Sequence, residues 1–310
     1  LSYKRIGIVG VGNVGSSIAY NLALQNICDE ILLKDIREDF TKAIALDISQ
    51  AIASINSKTI VKAICLDSEF KDCDIVVITA GIARKPNMSR DDLLFTNSKI
   101  MNSIVKNVIK YNKDSILIIV SNPLDAMVYS ALEASDFQKN RVLGMSGILD
   151  SSRMAHFIKE KVGNKKVEAM VLGGHGDDMV PLIKHTKVDG VSLTEILDEM
   201  ELEDIIEKTK NGGAQIVKLL KTGSAYFAPA QSTVLMIKAI IEDKHIIYPC
   251  SVRLDGEYGY NNIVTGVPVV LCKEGAKQII EIELTNKEKK EFHNSINSIQ
   301  NLIKKLHENI

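Results

Sequence analysis

The sequence predicts an α/β fold: a doubly wound parallel sheet in the first half, followed by an α+β lobe. Three observations carry this reading. Short β-rich runs alternate with helix-period segments through the first half, the pattern of βαβ units. The run Ile75-Val76-Val77-Ile78 is continuously apolar, as suits a strand buried on both faces. Gly10-Val11-Gly12-Asn13-Val14-Gly15 sits between the first strand-like run and the first helical one.

In chain order, residues 6–9, 30–34, 59–63, 74–79 and 115–120 read as strands, and 13–25, 40–53, 91–111 and 124–134 as the helices between them. Beyond about Gly144 the helices lengthen and the strands need not be parallel. Residues 149–161 read as a helix, 167–172 as a strand and 203–221 as a long helix. The next helix, 228–242, has Pro229 in its first turn. Runs 246–252, 268–272 and 279–283 read as strands, and 286–307 closes the chain as a charged amphipathic helix. The expected division is 1–144 and 145–310, with no linker-like tract between the two halves.

Composition narrows the class. The chain has 310 residues, 45% hydrophobic and 25% charged, which fits a globular protein and neither a disordered nor a repetitive one. The apolar runs 116–120 and 267–272 are far shorter than a bilayer span, and Leu1-Ser2-Tyr3-Lys4-Arg5 leads straight into a strand with no secretory pattern. A formal net charge of −1 argues against general nucleic-acid binding, so anion recognition must be local. Cys28, Cys65, Cys73, Cys250 and Cys272 form an odd set without a C-x-x-C pair or a histidine at zinc-ligand spacing. No metal site is expected, and a reducing cytoplasm is the simplest setting.

Strand, then Gly10-x-Gly12-x-x-Gly15, then helix is the context of a dinucleotide-binding (Rossmann-type) fingerprint. Gly10 permits the tight turn and Gly12 lets the backbone approach a pyrophosphate. Gly15 lets helix and strand pack closely, and the helix N-terminus, with Asn13 and Val14, faces the anion. Asp35 ends the second strand twenty positions after Gly15, where a carboxylate accepts hydrogen bonds from ribose hydroxyls. Its charge would repel a 2′-phosphate and so favours NAD over NADP. Arg37 is the competing feature, a guanidinium near enough to pair with that phosphate.

Gly173-Gly174-His175-Gly176-Asp177 places a histidine among glycines, accessible as a proton-exchanging imidazole must be. By itself it is only a turn. Together with Ala80-Gly81-Ile82-Ala83-Arg84-Lys85-Pro86, Ser89-Arg90, Ser121-Asn122-Pro123-Leu124-Asp125 and Leu149-Asp150-Ser151-Ser152-Arg153, it resembles the lactate/malate dehydrogenase family. Within that family the chain is most similar to the lactate-dehydrogenase-like malate dehydrogenases of bacteria, from Gly7 to the terminal helix.

The resemblance implies an NAD-binding domain over 1–144 and a catalytic, substrate-binding and oligomerisation domain over 145–310. The activity it implies is reversible hydride transfer between (S)-malate and NAD, giving oxaloacetate and NADH. A lactate or other 2-hydroxyacid dehydrogenase is the alternative on the same scaffold, and a non-catalytic NAD-binding sensor is the alternative from another class. By resemblance His175 is the acid/base, Asp150 the carboxylate that orients it, and Arg153 the clamp on the substrate carboxylate. Asp150 and Arg153 share a helix face, which in isolation would read as a structural ion pair. Arg90 resembles the loop arginine that polarises the carbonyl, and Asn122 the residue that binds substrate oxygen and positions the nicotinamide. Asn97 and Val120 join the glycine loop and Asp35 as implied cofactor contacts.

Arg84 is the residue that separates substrates. Lactate dehydrogenases resemble this segment but usually carry glutamine there, whereas malate dehydrogenases carry arginine for the second carboxylate of oxaloacetate. Ala225 falls where malate-type sequences have a small residue. Asn87 departs from the glycine common in relatives, although Asn tolerates a left-handed backbone better than most residues. Closure of 82–97 would bring in Arg84 and Arg90 and exclude water. The implied assembly is a homodimer or homotetramer, with no nucleic-acid or membrane partner.

Overall fold

The computed structural model describes residues 3–83 and 88–308. Six parallel strands come first: β1 (Arg5–Val9), β2 (Glu30–Lys34), β3 (Ile60–Ala63), β4 (Ile75–Ile78), β5 (Ile116–Ile119) and β6 (Val142–Gly144). Between them run helices α1 (Asn13–Leu24), α2 (Glu38–Ala53), α3 (Arg90–Tyr111) and α4 (Leu124–Ser135). After β6 come α5 (Gly147–Val162), α6 (Glu199–Leu220), α7 (Phe227–Ile241) and α8 (Asn286–Glu308), with β7 (Ile246–Asp255), β8 (Asn261–Cys272) and β9 (Gly275–Ile279) between α7 and α8.

All nine strands form one sheet in the order β9-β8-β7-β6-β5-β4-β1-β2-β3. The six from β3 to β6 are parallel, in the doubly wound order that reverses between β1 and β4. Strands β7, β8 and β9 extend the sheet antiparallel, joined through Ser251 of β7 opposite Gly144 of β6. The expected α/β class is therefore present, with the second half of the chain continuing the sheet of the first.

The parallel strands lie in the core. Ile6, Ile8, Ile31, Leu33, Ile75, Ile78 and Leu117 are fully buried, and truncating one such side chain, as in Ile78→Ala, costs about 2–5 kcal/mol. A second cluster joins Met154 and Ile158 of α5, Ile205 of α6, and Val171 and Met179 beside the His175 loop.

Several elements differ from the sequence expectation. Strand β6, with only three residues, was too short to show a period. The expected strand 167–172 changes partners midway: Val167–Glu168 joins a small antiparallel sheet, while Val171–Leu172 pairs with Val180–Pro181. Helix α6 begins at Glu199, four residues earlier than expected. Asp198 accepts the Glu201 N–H at 2.9 Å while the Glu201 carboxylate receives the Asp198 N–H, a reciprocal cap. Strand β8 begins at Asn261 rather than 268, because Pro268 stands opposite Pro249 and both missing donors fall at one register position. The last strand is Gly275–Ile279, not 279–283: pairing with β8 overrides the weak strand preference of Ala276-Lys277-Gln278.

Among the described residues no helix is long and apolar enough to cross a membrane. The five cysteines are free, four of them buried and Cys65 exposed. Burial pushes the Cys28 and Cys73 thiols up to about 12, the behaviour of inert small hydrophobes.

Candidate active site

The chemistry-bearing segments follow the carboxyl ends of the parallel strands, where ligands bind in open α/β sheets. Gly10 follows β1, Asp35 follows β2, Asn122 follows β5, and α5 with Asp150 follows β6.

At the first of these ends Gly10 has φ +93°, and a Cβ there would stand 2.5 Å from the Ala80 nitrogen, so only glycine fits. Gly12, the N-cap residue of α1, faces open space and supplies no side-chain cap, and the first turn has no acidic residue. That leaves α1 with unneutralised N–H groups and room for backbone approach, the conditions a pyrophosphate needs. Asp35 accepts hydrogen bonds from the Val11 N–H at 2.8 Å and the Arg37 N–H at 3.1 Å, and from the Arg37 side chain. Burial raises its pKa, but the hydrogen bonds from Arg37 and Val11 outweigh this and hold it below the usual carboxylate range. The glycine loop and Asp35 thus fit a dinucleotide.

Asn97, expected at the cofactor, is buried and committed to the backbone. It accepts from the Ile82 N–H at 2.8 Å and donates to the Ile82 carbonyl at 3.1 Å and the Asn122 carbonyl at 2.7 Å. It therefore ties the loop after β4 to the loop after β5. Val120 is buried at the end of β5, and the Asn122 side chain is exposed beside it.

The reaction end centres on α5. Asp150 is buried, with Oδ2 2.9 Å from His175 Nδ1 and Oδ1 accepting from Arg153 Nη1 at 3.0 Å. One carboxylate therefore orients an imidazole and a guanidinium together. Burial lowers the His175 pKa, but the charge and hydrogen bond of Asp150 more than offset it and the net shift is upward. With Nδ1 held, Nε2 is the nitrogen left for substrate. Arg153 Nε is buried without a hydrogen-bond partner among the described residues, a donor awaiting an acceptor.

The His175 loop is the turn joining Val171–Leu172 to Val180–Pro181. It is pinned by Gly173, whose N–H and C=O exchange hydrogen bonds with Gly266 of β8, and by Ser295 of α8, which accepts the Gly174 N–H at 2.7 Å. Asp125 of α4 accepts the His175 N–H at 2.9 Å and the Ser251 hydroxyl at 2.6 Å. The sequence expectation had quoted Asp125 without giving it a role. Its signal was a carboxylate within an otherwise apolar helix start, three residues after Asn122.

The remaining expectations are less connected. Arg90 is exposed at the start of α3, whose N-cap Ser89 is paired with Asp92. No hydrogen bond or ion pair among the described residues joins Arg90 to His175, Asp150 or Arg153. Arg84 and Asn87 lie outside the described residues. Ala225 is half-buried in the connection between α6 and α7. No group of three or more His, Cys, Asp or Glu among the described residues could hold a metal.

A dinucleotide-binding sheet end beside a carboxylate-oriented histidine and a half-buried arginine defines a class, the nicotinamide-dependent oxidoreductases. Models of the lactate/malate dehydrogenase family match the chain: the NAD binding domain over residues 4–144 and the alpha/beta C-terminal domain over 148–310. The chain belongs to this family and is an NAD-dependent oxidoreductase. It is 56% identical to a malate dehydrogenase of Aliarcobacter butzleri, over 100% of this chain and 99% of that protein. Its fold is similar to the crystal structure of Cryptosporidium parvum malate dehydrogenase, with TM-score 0.96 and 40% identity over 99% of this chain and all of that one. It is nearly as similar to the lactate dehydrogenase of the same organism, solved with lactic acid and NAD, with TM-score 0.95 and 35% identity over 99% of each chain. Backbone shape therefore does not separate the two substrates.

Proposed function

We propose that this chain is an NAD-dependent malate dehydrogenase, interconverting (S)-malate and oxaloacetate. The observation that carries the reading is the trio His175–Asp150–Arg153, in which one buried carboxylate holds both a proton-exchanging imidazole and a guanidinium with a free donor. Malate is favoured over lactate by the names of relatives up to 56% identical and by arginine at position 84, suited to a second carboxylate.

In this reading Arg153 receives the C1 carboxylate of the substrate in a charge-assisted fork. His175, charged in partnership with Asp150, gives its Nε2 proton to the carbonyl oxygen of oxaloacetate and takes it back from the malate hydroxyl. Residues 90–97 belong to α3, so the closing movement expected for 82–97 is confined to the segment before that helix. With it Arg90, exposed at the helix start, stabilises charge developing on that oxygen, while Arg84 meets the distal carboxylate. Asn122 holds substrate oxygen. The glycine loop, with Gly10, Gly12, Asn13, Val14 and Gly15, holds the pyrophosphate, Asp35 the adenosine ribose, and Val120 and Asn122 flank the nicotinamide. When bound, the nicotinamide accepts or supplies the hydride.

The division into a cofactor half, 1–144, and a substrate half, 145–310, belongs to the same reading, as do a cytoplasmic location and a homodimeric or homotetrameric assembly. The test is loss of NADH absorbance on adding oxaloacetate to the purified protein. A protein that binds NADH but oxidises it with no 2-oxo acid would be a sensor and not an enzyme.

A further inference from the structure

Asp125 joins three elements beneath His175: its own helix α4, the His175 loop and β7. It lies in the first turn of α4, three residues after Asn122, and is 5% exposed. One carboxylate oxygen accepts the His175 main-chain N–H at 2.9 Å, and the other accepts the hydroxyl of Ser251 at 2.6 Å. Ser251 is itself wholly buried on β7, opposite Gly144 of β6. Gly174 is packed so closely that a Cβ there would stand 3.4 Å from the same Asp125 oxygen and 3.2 Å from Ile299 of α8.

Burying a carboxylate is costly unless its oxygens are occupied. A helix start does not need one this deep, because a water or an exposed serine would satisfy the same N–H groups. Here the Asp125 carboxylate accepts its hydrogen bonds from the histidine loop and from the strand beside β6, and neither partner lies in its own helix. The imidazole is oriented from one side by Asp150, but Asp150 fixes only the ring. Gly173 and Gly174 are held by Gly266 and Ser295, but the His175 main chain itself is held by Asp125, and without that bond the backbone at His175 could shift toward Gly176 while the ring followed Asp150.

We propose that Asp125 is a positioning residue for proton transfer, holding the His175 main chain at a fixed distance from Asn122 in the loop that leads into α4, with Ser251 as its brace. The inference rests on the assignment of His175 as acid/base. Misplacing a reacting group by about 1 Å costs on the order of a hundredfold in rate, so the loss should fall on kcat and not on cofactor binding.

The test uses the full chain and the variants Asp125→Ala, Asp125→Asn and Ser251→Ala. Each is assayed for NADH binding by fluorescence, for kcat and KM with oxaloacetate, and for hydrogen–deuterium exchange of segment 173–176 without substrate. Asp125→Ala should lower kcat by roughly ten- to a hundredfold, leave the NADH Kd unchanged, and speed exchange at His175. Asp125→Asn retains a carbonyl acceptor for the His175 N–H and should recover most of both losses. A folded Asp125→Ala protein with wild-type kcat and wild-type exchange overturns the proposal, as does an Asp125→Asn protein no better than alanine. If Asp125→Ala does not fold, Ser251→Ala decides: lower kcat with faster exchange at unchanged NADH binding supports the brace, and wild-type values overturn it. A wild-type protein that turns over no 2-oxo acid would refute the acid/base assignment separately, while exchange in the variants would still test the anchor.

Discussion

Arg37 closes on Asp35 through two side-chain hydrogen bonds, from Nε to Oδ1 at 3.1 Å and from Nη2 to Oδ2 at 3.2 Å. With the N–H groups of Val11 and Arg37, the carboxylate already accepts four hydrogen bonds. Ribose hydroxyls must therefore displace or share one of them. The guanidinium is the partner able to move, since it is half-exposed and rests on the Phe40 ring at 4.2 Å. The guanidinium end is solvated, where ion pairs contribute little, and Asp35 keeps its two main-chain N–H donors when the guanidinium moves.

The cofactor prediction follows from that pairing. NADH should be strongly preferred to NADPH, because Asp35 repels a 2′-phosphate and Arg37 is engaged with Asp35. Asp35→Ser should narrow the preference, and Arg37→Ala should widen it by leaving the carboxylate uncompensated. Ratios of kcat/KM for the two cofactors measure this. A wild-type preference for NADPH would mean that Arg37 serves the phosphate instead.

His175→Asn should keep NADH binding and lose at least about a hundredfold in turnover, the usual contribution of a general acid. The pH dependence gives a second check. Asp150 raises the His175 pKa, so oxaloacetate reduction, which needs imidazolium, should fall only as pH rises through that raised value. Malate oxidation, which needs neutral imidazole, should fall as pH drops through it. Asp150→Asn should move both limbs to lower pH, and unmoved limbs would detach Asp150 from the histidine. For stability the sign is the same: the pair contributes fully below the unfolded imidazole value of about 6.5 and the contribution is lost as pH rises through the folded one.

Gly213 of α6 offers a prediction with two opposite signs. A Cβ there would come within 3.3 Å of Arg153 Nη2 and 3.4 Å of Nη1, so alanine must push the guanidinium aside by a few tenths of an ångström. Alanine in a helix interior otherwise stabilises by roughly 0.5–1 kcal/mol. Gly213→Ala should therefore raise Tm while raising KM for oxaloacetate several-fold. A higher Tm with unchanged KM would show that Arg153 has room to spare.

Much of this was legible before the structure because the period of the pattern and the roles of particular residues agreed. The run Ile75–Ile78 reads as a central strand and is one; the glycine fingerprint sits at the strand end where its spacing placed it. His175, Asp150 and Arg153 come together as expected. What sequence could not show was partner choice. Ala276-Lys277-Gln278 form a strand because β8 lies alongside, and Val167 and Val171 enter different sheets. Asp125 was hidden for a related reason, since its partners Ser251 and His175 are 126 and 50 residues away. Asn97 was expected at the cofactor, and its amide holds the loops after β4 and β5.

Arg84→Gln should separate two substrates. Losing a partner to a buried carboxylate costs about 3–5 kcal/mol, so oxaloacetate should lose roughly two to four orders of magnitude in kcat/KM. Pyruvate, without a distal carboxylate, should be unchanged or improved. Parallel losses on both would instead mark Arg84 as a residue of loop closure.

The assignment to malate is tested most directly by one comparison, kcat/KM of the wild-type protein for oxaloacetate and for pyruvate with NADH. A pocket that encloses a charged partner rejects substrates lacking the matching group by roughly 10⁴ to 10⁵ in favourable cases. Oxaloacetate should exceed pyruvate by at least about a thousandfold. Equal use of both, or a preference for pyruvate, would contradict the assignment and make the protein a dehydrogenase of another 2-hydroxy acid.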